Sequence, residues 1–459
     1  MSFILAVVYV ITCGGLIWLL LTRRDVIFAQ YGVLGLFSLG YYPLPVLFKP
    51  LSSLAGTEDE KVFSALLIHW VFLIAILAGS FATARLVGAV RPLSLGRLDE
   101  FCYKYRFFFS AVAFGLYVAY VLTTPQTSYA SEDFDAFFEQ KSPVRSILAA
   151  VSELCISFIC VSFAVDSAKK NHKSLVIFGG MVVAIVLATL PLGQRTATLT
   201  PIMFLFASMA AQRQSGKALQ VLGVGLIVLM AVSPFAVYLR EARRAKNGDF
   251  LNTSEVAGKF TVESNPLMQS FQSIIDRSDL VYNTVYMKDY IDETEYVGWK
   301  YYYSVAVSPI PRFVYPNKPY VLSSNGNIDG ELSVLAWKEM NGGLGSLTAF
   351  GGITAYREGG WAGVLLDGLA DGALFVLIAR WLGGGGYLAK VFYSIFFVMF
   401  AVAKAPPCFF EALATFLGQA PLIVSLIFIS KLPLYGVRRM TPSSRSPLRA
   451  PKLAPREFN

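Results

Sequence analysis

Long apolar runs alternate with short polar segments along most of the chain. A helix needs about 17 to 25 apolar residues to cross a bilayer, and this length divides the sequence into about eleven such runs. They lie near residues 3–22, 26–48, 62–84, 107–123, 146–166, 174–192, 196–212, 218–238, 360–380, 389–404 and 408–430. The pattern predicts an all-α fold, a polytopic membrane helix bundle.

One polar segment, residues 239–359, is far longer than the others. It separates eight predicted spans in residues 1–238 from three more in residues 360–430. Within it, residues 266–291 carry apolar side chains at roughly helical spacing, which predicts an amphipathic helix lying against the bundle. The tail, residues 431–459, is basic and rich in Pro and Ser, and is predicted to be disordered.

Basic residues are unevenly shared between alternate loops. With the basic tail placed in the cytoplasm, the inner loops contain Arg23, Arg24, Arg85, Arg91, Arg97, Lys104, Arg106, Lys169, Lys170, Lys173, Arg213, Lys217, Arg380 and Lys390. The short outer loops contain only Lys49, Lys61, Lys141, Arg145, Arg195 and Lys404. Because Lys and Arg favour cytoplasmic loops, the N-terminus is predicted outside, the C-terminus inside, and residues 239–359 outside the cytoplasm.

Composition excludes several classes of protein. The chain is 55% hydrophobic and only 15% charged, which is too apolar for a soluble protein of this length. Its net charge of +9 follows from the loops and tail, so a nucleic-acid partner is not expected. The five cysteines and two histidines show no metal-ligand spacing, so neither a metal site nor another cofactor is expected.

Prolines restrict a segment rich in cations and aromatic residues, which runs from Pro311 to Pro319. Proline restricts the backbone, so Arg312 and Lys318 can converge from a rigid loop. The Arg fork binds two phosphate oxygens, Lys adds a point charge, and Tyr315 offers a face to a sugar. The alternative is a proline-braced loop packed by its own aromatic residues.

Three further arginines are candidates for phosphate binding. Arg195 lies in a very short outer turn, and its alternative role is to anchor a helix end. Arg240 follows the eighth predicted span, where contact with lipid headgroups is its alternative role. Arg277 stands between acidic residues on the predicted amphipathic helix, and an ion pair on that surface is its alternative role.

Polar residues also open the ninth predicted span. Tyr356, Arg357 and Glu358 precede it, and Asp367 and Asp371 stand four residues apart within it. Ionisable side chains inside a membrane face a partner or a water-filled cavity. Two interpretations of these residues therefore stay open: they form structural ion pairs, or they line a functional cavity that opens to the outer side.

These motifs resemble the Wzy-type oligosaccharide repeat-unit polymerases of bacterial O-antigen and exopolysaccharide assembly. The resemblance covers about residues 174–382. It rests on Gly193-Gln194-Arg195, the segment from Pro311 to Pro319, and the segment from Tyr356 to Gly363. The related O-antigen ligases use a loop histidine. Residues 239–359 contain no histidine, which favours a polymerase.

The resemblance implies a metal-independent, inverting glycosyl transfer at the periplasmic face of the bacterial inner membrane. Its substrate is an undecaprenyl-diphosphate-linked oligosaccharide, and membrane lipid, a chain-length regulator and a flippase are the further partners implied. The catalytic residues are then Arg195, Arg312, Arg357 and Glu358, with Asp279 and Glu331 as rivals for the general base. Substrate binding falls to Arg240, Arg277, Tyr315, Lys318 and Tyr356.

Two other functions remain as alternatives. A related lipid-linked glycan ligase or glycosyltransferase has the same general architecture. A transporter or flippase also places ionisable residues in a central cavity, although the sequence shows no inverted repeat. A membrane acyltransferase requires a nucleophile or a histidine-centred site, which the sequence does not offer.

Overall fold

The computed structural model describes residues 2–30, 59–87, 90–123, 143–190, 195–225, 280–294, 351–399 and 409–431, with isolated positions between 227 and 315. Within these ranges the regular structure is helical and no β-strand occurs. The helices are α1 (Ser2–Gln30), α2 (Asp59–Leu86), α3 (Arg97–Lys104), α4 (Arg106–Thr123), α5 (Pro143–Ala168), α6 (His172–Thr189), α7 (Arg195–Ala211), α8 (215–225), α9 (Leu280–Glu293), α10 (Gly351–Ile378), α11 (Tyr387–Val398) and α12 (Phe409–Lys431).

Six helical segments are long and apolar enough to cross a membrane. They are Asp59–Leu86, Arg106–Thr123, Val151–Ala168, His172–Thr189, Gly351–Gly383 and Ala412–Lys431. The predicted all-α class of a membrane helix bundle is therefore confirmed over the described residues. The number of spans and their orientation stay predictions.

Most predicted spans coincide with helices to within a few residues, because the apolar runs that a bilayer requires are also the runs that the bundle buries. The run at 62–84 lies in α2, and the run at 107–123 lies in α4. At the start of the chain, α1 continues through Arg23 and Arg24, where a loop was expected. The next predicted span, at 26–48, falls almost entirely beyond the described residues.

Four of the predicted inner loops meet at one end of the bundle, which we call the basic end (residues 85–106, 169–173, 212–217 and 380–390). Arg380 donates a hydrogen bond to the carbonyl oxygen of Ala84, and Lys390 donates to the side chain of Gln212. Arg106 binds both carboxylate oxygens of the buried Asp166, which joins α4 to α5. The loops that the distribution of Lys and Arg assigned to one side of a membrane thus lie at one end of the structure.

The side of the membrane that the basic end faces can be tested with reporter fusions. A topology reporter fused after Lys170 or Ser443 is expected to be active as a cytoplasmic fusion, and one fused after Ser254 or Asn325 as a periplasmic fusion. Activity of the Asn325 fusion in the cytoplasm would reverse the orientation and remove the basis for chemistry at the outer face.

Helix α2 is the centre of the part of the bundle that carries the candidate site. It packs against α1, α9 and α10. The hydroxyl of Ser2 donates to the carbonyl oxygen of Asp59, and Trp70 donates to Thr12, so α1 and α2 run in the same direction. Since α2 ends at the basic end, its first residue, Asp59, marks the opposite end of the bundle.

Candidate active site at a helical hairpin

Helix α10 is two helical arms joined at a pair of glycines. Gly359 has φ −156° and ψ 30°, and Gly360 has φ 59° and ψ −143°. A residue with a side chain avoids the second of these conformations, whereas glycine adopts it readily. The break therefore separates a first arm at 351–358 from a second arm at 361–378.

The two arms fold back on each other. A Cβ atom built on Gly352 or on Gly368 would contact Phe72, although these glycines lie on opposite sides of the break. A Cβ atom on Gly363 would lie 2.2 Å from the carbonyl oxygen of Ala355, which requires a sharp reversal of the chain. The arms thus form a hairpin whose turn is Gly359-Gly360.

This hairpin differs from the sequence prediction, which started the ninth span at residue 360 and placed residues 351–358 in the outer loop. The first arm is instead helical and largely buried, and its second residue, Gly352, lies beside Phe72 in the middle of α2. Gly351 to Glu358 occupy the interior because glycines and apolar residues dominate the start of the arm, which lets it approach α2 closely.

The second arm packs so closely on α2 that the backbones of the two helices are in contact. A Cβ atom on Gly372 would lie 2.1 Å from the carbonyl oxygen of Ile76, and one on Gly79 would lie 2.1 Å from the carbonyl oxygen of Leu369. The hydroxyl of Ser80 donates to the carbonyl oxygen of Gly372 at 3.1 Å. Small residues that allow such contact stabilise helix pairs in membranes, and here they fix the hairpin against a rigid neighbour.

Replacing Gly360 with Ala is expected to destabilise the hairpin by about 1–3 kcal/mol, because the backbone conformation is strained for a side chain. The new methyl group would also meet the Tyr296 hydroxyl, which lies 3.2 Å from the Cβ position. Gly359 is the matched control, since its φ is extended and its Cβ position has nothing within 4 Å. Thermal unfolding in detergent should show a lower midpoint for Gly360→Ala than for Gly359→Ala; equal midpoints would contradict the turn geometry.

Polar and charged side chains are buried along the hairpin. Arg357 is 7% exposed and Glu358 is 8% exposed at the end of the first arm. Thr354 lies one turn before Glu358 and is fully buried. Asp367 and Asp371 are buried one turn apart on the second arm. The predicted arginine and glutamate thus lie inside the protein, where their electrostatic interactions are stronger than in water.

Two carboxyl groups of this set are close to each other. Glu358 and Asp367 are within hydrogen-bonding reach, and Asp367 also accepts a hydrogen bond from the backbone N–H of Phe409. Phe409 is the first residue of α12, and the free N–H groups at a helix start favour a carboxylate. Asp367 therefore joins three helical segments, which gives it a structural role in addition to its place beside Glu358.

Tyr356 is buried at the turn, and several contacts hold it there. Its hydroxyl donates to Oδ1 of Asp292 on α9 at 3.0 Å. Its ring lies edge-on to the rings of Tyr296 and Trp361, with centroids 5.9 and 5.7 Å away. The Lys288 ammonium lies 5.6 Å from the centre of its ring. This residue, predicted to bind substrate, also links the hairpin to α9.

Helix α9 is itself fixed to α2. Lys61 and Asp289 form an ion pair at 2.8 Å, and the His69 ring is 2.6 Å from the hydroxyl of Thr284. The Lys61 contact places the later turns of α9 near the start of α2, so the hairpin turn, which contacts Asp292, lies at the end of the bundle opposite the basic end. His69 is buried with Thr284, as a packed interior histidine would be.

The other predicted site residues are described only in part or not at all. Arg195 is the first residue of α7, but its side chain has no described position. Tyr315 is half-buried. The remaining candidates lie outside the described residues and stay predictions: Arg240, Arg277, Arg312 and Lys318, with Asp279 and Glu331.

Sequence reasoning missed Asp292 and Tyr296, which contact the hairpin turn. Asp292 lies one residue past the predicted amphipathic helix, and its contact with Tyr356 joins positions 64 residues apart in the chain. No local pattern signals such a contact. Over the described ranges, no group of three or more His, Cys, Asp or Glu side chains is arranged to hold a metal ion.

No protein-family model and no curated protein matches the sequence, and no solved structure matches the fold.

Proposed function

We propose that the chain polymerises undecaprenyl-diphosphate-linked oligosaccharide repeat units into a surface polysaccharide, O-antigen or another exopolysaccharide. The reaction is an inverting, metal-independent glycosyl transfer at the periplasmic face of the bacterial inner membrane. The observation that carries the proposal is the buried pair Arg357 and Glu358 at the hairpin turn, at the end opposite the basic end. In the orientation predicted from loop charge, that end faces the periplasm.

The chemistry needs a cation and a base. The acceptor hydroxyl oxygen attacks the anomeric carbon of the donor, and the bond from that carbon to the phosphate oxygen breaks with inversion. The diphosphate leaves with the electron pair, and the hydroxyl proton passes to a carboxylate. A guanidinium held away from water stabilises the charge that develops on the leaving group.

Arg357 and Glu358 suit these two roles. Burial strengthens the attraction between the Arg357 guanidinium and a diphosphate, and the planar fork matches two phosphate oxygens. Glu358 is the proposed general base, and Asp367, within hydrogen-bonding reach, orients its carboxyl group. Tyr356 and the more exposed Tyr296 and Trp361 add aromatic faces beside the turn, which suit the apolar faces of sugar rings.

Transport is the second candidate, and the hairpin itself favours it. Broken helices inside a membrane often line the substrate site of transporters, and Asp371 is a fully buried carboxyl group on the second arm. A flippase would move the lipid-linked unit without forming a glycosidic bond. The two functions are therefore separated by the product and not by the binding of the substrate.

The test is an assay of purified protein with lipid-linked repeat units in mixed micelles. Polymerase activity gives a ladder of oligomers, and Glu358→Gln is expected to lower the rate about 10²- to 10⁴-fold, the usual contribution of a general base. Glu293→Gln is the matched control, because Glu293 is an exposed acidic residue at the end of α9. A ladder formed by Glu358→Gln at the wild-type rate would exclude Glu358 as the base.

A further inference from the structure

Helix α9 makes its described contacts with the hairpin at the turn. Asp292 accepts the hydrogen bond of the Tyr356 hydroxyl through one carboxylate oxygen, and its other oxygen accepts a hydrogen bond from Lys288. Four residues further along the chain, beyond the end of α9, the Tyr296 hydroxyl lies beside Gly360 and its ring lies beside that of Tyr356. Asp292 and Tyr296 thus contact both sides of the point where the chain reverses.

The hydrogen bond between Tyr356 and Asp292 also restrains the two residues that follow Tyr356. Successive residues of a helix are turned by about 100° from each other, so the direction of Tyr356 determines the directions of Arg357 and Glu358. On their other side the chain passes through Gly359-Gly360, which restrains the backbone weakly. The first arm therefore needs a support from outside the hairpin, and Asp292 supplies a charged acceptor at that position.

The support is rigid because α9 is joined to α2 independently of the hairpin. The Lys61–Asp289 ion pair and the contact of His69 with Thr284 hold α9 along the half of α2 that begins at Asp59. Asp289 and Asp292 are on the same helix, but Asp289 binds α2 whereas Asp292 binds Tyr356. Asp289 thus fixes α9 to α2, and Asp292 holds Tyr356 against α9.

We infer that Asp292 is a positioning residue for the proposed polymerase: by accepting the Tyr356 hydrogen bond it holds Arg357 and Glu358 in the orientation that the diphosphate-linked donor and the acceptor sugar require. This inference rests on the proposed function for its catalytic consequence. Its structural part, the restraint of the turn by Asp292, is independent of the reaction. Asp292 itself takes no proton from the substrate.

The variants are Tyr356→Phe, Asp292→Ala, Asp292→Asn and the double variant Asp292→Ala with Tyr356→Phe, compared in the same micellar assay. Each of the first two is expected to lower kcat about ten- to a hundredfold, the effect of a small misplacement of catalytic groups. The double variant should be no slower than the slower single variant, because both changes remove the same Asp292–Tyr356 hydrogen bond. Asp292→Asn keeps an acceptor oxygen and should remain within about threefold of the wild type.

Glu293→Gln is the matched control, since Glu293 is an exposed acidic residue beside Asp292, and this change leaves the Tyr356 contact and the Lys61–Asp289 ion pair in place; it should retain kcat. The pH profile of Asp292→Asn should match that of the wild type. Additive losses in the double variant, or a loss in Asp292→Asn as large as in Asp292→Ala, would overturn the inference.

Hydrogen exchange separates this inference from the proposed function. Amides at 355–360 should exchange faster in Asp292→Ala and in Tyr356→Phe than in the wild type, and at the wild-type rate in Glu293→Gln. This result supports the restraint even if the wild-type protein forms no polymer, in which case only the proposed function fails. Unchanged exchange in both variants would show that Asp292 does not hold the turn.

Discussion

Arg357→Lys is expected to lower the rate of repeat-unit addition about 10²- to 10³-fold, the usual effect of removing one preorganised donor from a transition-state site. Lysine keeps the positive charge but loses the planar fork that binds two oxygens of a diphosphate at once. The residue is buried, so water cannot replace the lost donor. The measurement is the rate of ladder formation by the purified variant.

Protein abundance must be measured beside the rate, because a buried arginine can also stabilise the hairpin. Arg91→Lys is the matched control, since Arg91 is exposed at the basic end. The proposed role predicts normal abundance of Arg357→Lys with short or single-repeat products. Depletion of the variant from the membrane would mean that Arg357 serves the fold. Full-length chains formed at the wild-type rate would mean that Arg357 does not bind the diphosphate through its planar fork.

Gly372→Ala is expected to have the largest effect on stability. The added methyl group would lie 2.1 Å from the carbonyl oxygen of Ile76 and 2.7 Å from the backbone nitrogen of Ser80. Backbone atoms of α2 cannot move aside as the end of a side chain can, so the second arm must separate from α2. Overpacking of this kind costs about 1–3 kcal/mol or more, and the midpoint of thermal unfolding in detergent should fall accordingly.

Gly180→Ala in α6 is the matched control for this substitution. Gly180 is also a helical glycine in an apolar segment, and its Cβ position has nothing within 4 Å. Alanine favours a helix over glycine by about 0.5–1 kcal/mol, so this variant should be as stable as the wild type or more so. Similar midpoints for the two variants would contradict the close contact between α2 and the hairpin.

Hydropathy and loop charge predicted much of the bundle because both follow from constraints that act along the chain. Long apolar runs lie in helices such as α2 and α4, and the loops around Arg106, Lys169 and Lys390 meet at one end as their alternation required. Each of these features depends on neighbouring residues alone. The hydrophobic period and the position of cations are therefore sufficient to find them.

The hairpin depends on contacts between distant residues, so a pattern along the chain could not predict it. Arg357, Glu358 and the following glycines have the composition of a loop, and the sequence prediction ended the outer segment there. Their burial follows from glycines that fit against Phe72, almost 300 positions earlier in the chain. The motif at 356–358 was therefore found as a candidate, while its interior position and its contact with Asp292 were not.

The central claim concerns the bond that the protein forms, and deletion of its gene tests this most directly. Surface glycan from the deletion strain should be separated on a gel and analysed by mass spectrometry, with the intact gene restored on a plasmid as the control. A polymerase predicts one repeat unit still attached to its acceptor, with the ladder recovered on complementation. Glycan that never reaches the acceptor, repeat units retained on the inner leaflet, or an unchanged ladder would contradict the account.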